Sequence, residues 1–186
     1  MSEQIDFQLL SFTIKRLGWI RFWVQLVLGV VVIAVLVFTR IGSSLGNDTQ
    51  KALGLAPGLS LTTLAFFLLL YSLWQGWLIV RAGRAVGSKA RPSRGQTSRL
   101  IKRGLVVDLI GMIFSLIGYQ ALMGPLFIQA SMQTPGISIG SSARAMQNYP
   151  ITSLEILSVL SNTQVLTGHF IGLCMSLWLL RRIYKN

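Results

Sequence analysis

The chain has 186 residues, of which 52% are hydrophobic and 12% charged, and it carries a net charge of +12. That is one domain's worth of chain and too apolar for a soluble domain of this size, so a lipid bilayer is the expected solvent. The single cysteine, Cys174, excludes an internal disulfide framework, and the charge excess calls for either an anionic surface or a topological explanation.

The amino-terminal arm brings Lys15, Arg16 and Arg21 up to Phe22–Thr39, a run without Asp, Glu, Lys or Arg. A positive flank before an apolar run also describes a signal peptide. This run is longer than such a core, and the following TRIGSSLG offers no small-x-small cleavage site, so a retained first span near 20–38 is expected. Ala52–Val80 holds a second span near 59–80, Leu109–Ala143 a third near 104–128, and Ile156–Leu180 a fourth near 160–180. Each is long enough for the roughly 20 helical residues that cross a hydrocarbon core. The fold class is therefore all-α, a polytopic membrane protein with one transmembrane domain of four helices over residues 1–186.

Between the second and third spans lies a basic loop, 81–103, with Arg81, Arg84, Lys89, Arg91, Arg94, Arg99, Lys102 and Arg103 and no acid. The tail adds Arg181, Arg182 and Lys185, whereas the two loops on the other side hold only Arg40, Lys51 and Arg144. Lys and Arg accumulate on the side from which a membrane protein is inserted, which places both termini and this loop in the cytoplasm, or in the stroma of a plastid. Beside an anionic leaflet the same cations contribute about 1 kcal/mol each to lipid attraction. An acidic protein is the other partner they suit; nucleic acid is not expected, because no nucleic-acid motif accompanies them. Trp19, Trp23, Trp74, Trp77 and Trp178 all fall near the basic ends of their spans, where an interfacial belt explains them.

Counting rise per residue from the innermost basic residue of each span puts Gln25, Gln75, Asp108 and Ser176 about 6 to 9 Å inside, one polar layer drawn from all four helices. On the third helix Gly104, Asp108, Gly111, Ser115 and Gly118 form a stripe of small residues, and on the fourth Gly168, Gly172 and Ser176 form another. Antiparallel packing of the two is expected, with Ser176 opposite Asp108, Gly172 near Gly111 and Gly168 near Ser115. Asp108, embedded in a span, needs a partner, and Arg81, Arg84 or Arg103 reaches it by snorkelling. Glu155, Asn162, His169 and Ser176 recur at sevens along the fourth helix. They read either as a polar track for protons or a metal, or as the buried seam of a bundle whose polar groups satisfy one another. By depth His169 lies about 10 Å from Asp108, near the bilayer centre. With no second histidine, no metal site is expected, and no cofactor either. The absence of a nucleophile–base pair, a carboxylate pair or a cofactor fingerprint points away from an enzyme.

LGWIRFWVQLVLGVV (17–31), GLVVDLIGMIFSLIGYQALMG (104–124) and SNTQVLTGHFIGLCMSLWLLRRI (161–183) together resemble the cyanobacterial and plastid family of small four-helix membrane proteins. That family includes the inner-envelope translocon (Tic) component also described as a chloroplast iron permease. The resemblance implies a cyanobacterial plasma or thylakoid membrane, or the plastid inner envelope, and a role in protein transport or iron transport. It carries no catalytic motif. A neutral amide is usual in the family where this chain has Asp108, which leaves Asn162 and His169 as the better transport candidates. Two functions follow: a non-enzymatic subunit or assembly partner of a larger membrane complex, or a permease for iron or another metal cation.

Overall fold

A computed structural model of the chain describes residues 2–45, 49–86, 92–132 and 153–185. These form four helices, α1 (Ser2–Leu45), α2 (Thr49–Val86), α3 (Arg94–Met132) and α4 (Ser153–Lys185), and no strand occurs among the described residues. Each contains a segment long and apolar enough to cross a membrane: Ser11–Phe38, Ala56–Val86, Arg94–Ile128 and Glu155–Tyr184.

The helices outrun their apolar cores. In place of a basic loop over 81–103, α2 continues to Val86 and α3 begins at Arg94. Local chemistry fixes that start. Ser93 is a capping residue whose Oγ accepts from the Gln96 amide at 3.1 Å, while the Ser93 amide donates to Gln96 Oε1 at 3.1 Å. Arg81, Arg84, Arg94, Arg99, Lys102 and Arg103 therefore stand exposed on helical extensions. Lys89 and Arg91 lie outside the described residues, as does Arg144.

Burial follows alternating steps of three and four. Buried positions run 14, 18, 21, 25, 29, 32 on α1 and 58, 62, 65, 69, 72, 76 on α2. They run 97, 101, 104, 108, 111, 115, 118, 122 on α3 and 155, 158, 162, 165, 169, 172, 176, 179 on α4. A seam near 3.5 residues per turn is that of a left-handed four-helix bundle. Neighbours in sequence pack together and α4 closes the ring on α1, while α2 and α4 also meet across one diagonal. Backbones of α1 and α3 do not approach closely.

Glycine decides where helices touch. A Cβ on Gly18 would lie 2.8 Å from a Val80 methyl, and one on Gly83 would lie 3.0 Å from the Lys15 amide, so α1 and α2 meet backbone to backbone. The two small-residue stripes face the bundle axis without matching each other throughout. Gly104 faces Arg21 of α1, Gly111 faces His169 of α4, and Gly118 faces Gly58, Leu61 and Thr62 of α2. Gly168 faces Leu69 and Leu28 instead of Ser115.

The α3–α4 register is one turn from the sequence expectation. Gly172, not Ser176, lies opposite Asp108, and Gly111 lies opposite His169. The expectation set Arg103 and Arg181 at one level, whereas α4 projects about one turn, roughly 6 Å, further at the basic end. Trp23, Trp74, Trp77 and Trp178 are exposed around the bundle near the level of Arg21 and Gly76, and the Arg81 guanidinium lies 5.9 Å from the Trp77 ring centre.

Candidate functional site: a buried Arg21–Asp108–His169 cluster

Among the described residues Arg21 is the largest fully buried side chain, at 0% exposure. The seam spacing puts it on the inward face of α1, one turn before Gln25; Gly104 leaves room for its guanidinium, and Gly76 lies against its stem. Its Nη1 donates to Ser176 Oγ at 2.6 Å, and its Nη2 donates to Asp108 Oδ2 and to Ser72 Oγ, both at 2.8 Å. One guanidinium thus ties α1 to each of the other helices. The Arg21–Asp108 ion pair bridges the diagonal across which α1 and α3 backbones stay apart.

Asp108 is also fully buried and uses both oxygens. Oδ2 takes Arg21, while Oδ1 accepts from Ser72 Oγ at 2.5 Å and faces His169 Nδ1 at 3.2 Å. Gln25 Nε2 completes the layer, donating to Ser72 Oγ at 2.9 Å and to the Gly168 carbonyl at 3.2 Å. A buried charge is tolerated when paired and hydrogen-bonded, and this network meets the condition for the carboxylate. It leaves Arg21 Nε and Gln25 Oε1 without a hydrogen-bond partner.

Apolar layers close the cluster along the bundle axis. On the basic side are Ile14, Ile79, Ile101, Leu179 and Ile183, and on the other side Val32, Ala65, Phe66, Leu69 and Val165. Beyond the second layer, Asn162 Nδ2 donates to the Ser115 carbonyl at 2.9 Å. Glu155, Asn162, His169 and Ser176 do share one buried face, but Val165 and its neighbours interrupt it between Asn162 and His169. Asp108 and His169 supply two potential metal ligands, and among the described residues no three such side chains converge.

A family model described as "Protein of unknown function (DUF3611)" matches residues 5–184. The chain belongs to the DUF3611 family. It is 31% identical over 175 residues to "Protein TIC 21, chloroplastic" of Arabidopsis thaliana, a match that covers 91% of this chain. The chain spans 56% of that relative's length. No solved structure matches.

Within this DUF3611 chain the structure redistributes the roles expected from sequence. Asp108 pairs with Arg21, not with Arg81, Arg84 or Arg103, which remain exposed. Arg21 is interior and does not mark the membrane boundary, so depths counted from it on α1 were too shallow. His169 and Asp108, expected about 10 Å apart, touch at 3.2 Å. The one-turn register offset accounts for roughly 6 Å of that separation, and side-chain reach spans the rest. Gln75 is buried but donates along its own helix, to Tyr71 Oη at 3.1 Å; α2 enters the cluster through Ser72 instead. The sequence signal for Arg21 was its place in the series Ile14, Gly18, Arg21, Gln25, Gly29, Val32, which outweighs its kinship with Lys15 and Arg16.

Proposed function

We propose that this integral membrane protein is a non-enzymatic subunit or assembly partner of a larger membrane complex of the protein-translocon type. The observation that carries the reading is the guanidinium of Arg21 on the bundle axis, with every helix bonded to it and an apolar layer on either side. The paired Arg21 and Asp108 side chains fill the axis between those apolar layers, which opposes cation passage, and both Asp108 oxygens are committed to internal partners. The interior holds the bundle in register, and the work falls to its surfaces.

At the basic end, Arg81, Arg84, Arg94, Arg99, Lys102 and Arg103 form an exposed rim. In this reading the rim and both termini face the cytoplasm, or the stroma in a plastid, where the rim binds anionic lipid and an acidic surface of the partner. The resemblance to a translocon component and the similarity to the Arabidopsis protein support such a setting.

One observation favours a second reading, a permease for iron or another metal cation. Ionisable residues inside a membrane bundle commonly mark ion or proton routes, and Arg21, Asp108 and His169 meet here. Purification of the tagged protein from its native membrane in mild detergent, with mass and companions determined, separates the two. Recovery in a large assembly with stoichiometric partners is expected. Recovery as a lone small homo-oligomer would contradict the subunit reading and favour the permease.

A further inference from the structure

His169 is the chain's single histidine, and its ring lies between two hydrogen-bond acceptors. Nε2 is 3.0 Å from the main-chain carbonyl oxygen of Ala65 on α2, and Nδ1 is 3.2 Å from Asp108 Oδ1 on α3. A carbonyl oxygen has no proton to give, so Nε2 carries the hydrogen. A neutral imidazole protonated at Nε2 presents a bare lone pair at Nδ1. Two electron-rich atoms would then face each other in a core closed to water.

Ser72 does not relieve this. Its hydroxyl accepts from Arg21 Nη2 and Gln25 Nε2 and gives its one hydrogen to Asp108 Oδ1. Both lone pairs and the hydrogen are in use, so Oδ1 is an acceptor toward α2 and needs a further proton toward α4. We infer that the cluster binds one proton, shared between His169 Nδ1 and Asp108 Oδ1, and that this proton holds α4 against α3.

The neighbours of the pair are few. From α1 come the Arg21 cation and the neutral Gln25; from α2, Ser72 and the Ala65 carbonyl; from α3, Asp108 itself; from α4, Ser176 beyond Arg21. Glu155 on α4 is about 21 Å further along that helix. With the proton, Arg21, Asp108 and His169 sum to one positive charge; without it, to zero. Release turns the Nδ1 lone pair onto Oδ1, and the ring has no free space toward α3, because it packs directly on Gly111. The strain of release therefore falls on the α3–α4 contact.

The test uses the wild-type protein in lipid nanodiscs, labelled with nitrogen-15 in histidine, so every ring signal belongs to His169. At about pH 8 a solvated histidine is almost entirely neutral. The bound proton is expected to appear there as two N–H signals from one ring, or as one N–H together with the infrared band of a protonated carboxyl that disappears in Asp108→Asn. A bare Nδ1 in a protein with no such carboxyl band overturns the inference. The nitrogen-15 reading comes from the wild type and stands even where the variant fails to fold; the carboxyl band alone needs the variant for its assignment.

Discussion

Asp108→Asn is expected to destabilise the bundle by about 3–5 kcal/mol, the usual cost of leaving a buried charge without its partner. The charge at issue is Arg21, which stays protonated in any protein environment and has 0% exposure. The asparagine retains an oxygen for one Arg21 hydrogen bond but supplies no counter-charge. Removing both partners in Arg21→Met/Asp108→Leu is expected to restore most of the loss, since well-packed apolar pairs often match or exceed buried ion pairs in stability. Arg21→Lys does not substitute, because one ammonium lacks the planar fork that reaches Ser176 from Nη1 and Asp108 and Ser72 from Nη2. Unfolding of the four proteins of the cycle in mixed micelles measures the coupling. Simple additivity would mean that Arg21 and Asp108 do not meet.

The second large effect comes from adding a single methyl group. A Cβ at Gly172 would lie 2.5 Å from Asp108 Oδ2 and 2.6 Å from Gln25 Nε2, and one at Gly111 would fall on the His169 ring. Overpacking of this kind costs about 1–3 kcal/mol, and here it also displaces hydrogen-bonded groups, so Gly172→Ala and Gly111→Ala are expected at or above the upper end. Gly124→Ala is the matched control. Nothing lies within 4 Å of its added methyl, and alanine is the better helix former by up to about 1 kcal/mol, so neutral to mildly stabilised behaviour is expected. Thermal unfolding of the three variants in one detergent distinguishes a filled polar cluster from a loosely packed interior, which would tolerate all three alike.

The four-helix membrane architecture was legible because each span is announced by its uncharged run, a signal that depends only on the length of bilayer to be crossed. Asp108, His169, Gly172 and Ser176 were legible as costly or small residues inside those runs. Their partners were not. Arg21 reads as the last cation of a flanking cluster when counted by charge, and as a core position when counted by the three-and-four spacing from Ile14 to Val32. Charge-based boundaries assume that every cation sits at the surface, and one interior arginine shifts the whole depth scale of its helix. Ser72 carried no signal of cost, since a serine is inexpensive anywhere in a helix; only its three hydrogen bonds reveal its place. The helical nature of the basic segment was hidden for a related reason. Arg-rich sequence looks like a loop beside apolar spans, yet Gly83 and Val86 continue the α2 seam beneath Arg81 and Arg84.

In the proposed function the Arg21–Asp108–His169 cluster is closed to water, organises the bundle and lines no route through it. Ser176→Cys in a Cys174→Ser background tests this most directly, because the substitution is nearly isosteric and places a thiol where Ser176 Oγ meets Arg21 at 2.6 Å with 0% exposure. In native membranes a water-soluble maleimide is expected to leave this thiol unlabelled from either side, to label it fully after denaturation, and to label a Tyr184→Cys control on the exposed end of the same helix. Labelling of the native Ser176→Cys protein at a rate near that control would show water reaching the cluster and would contradict the account.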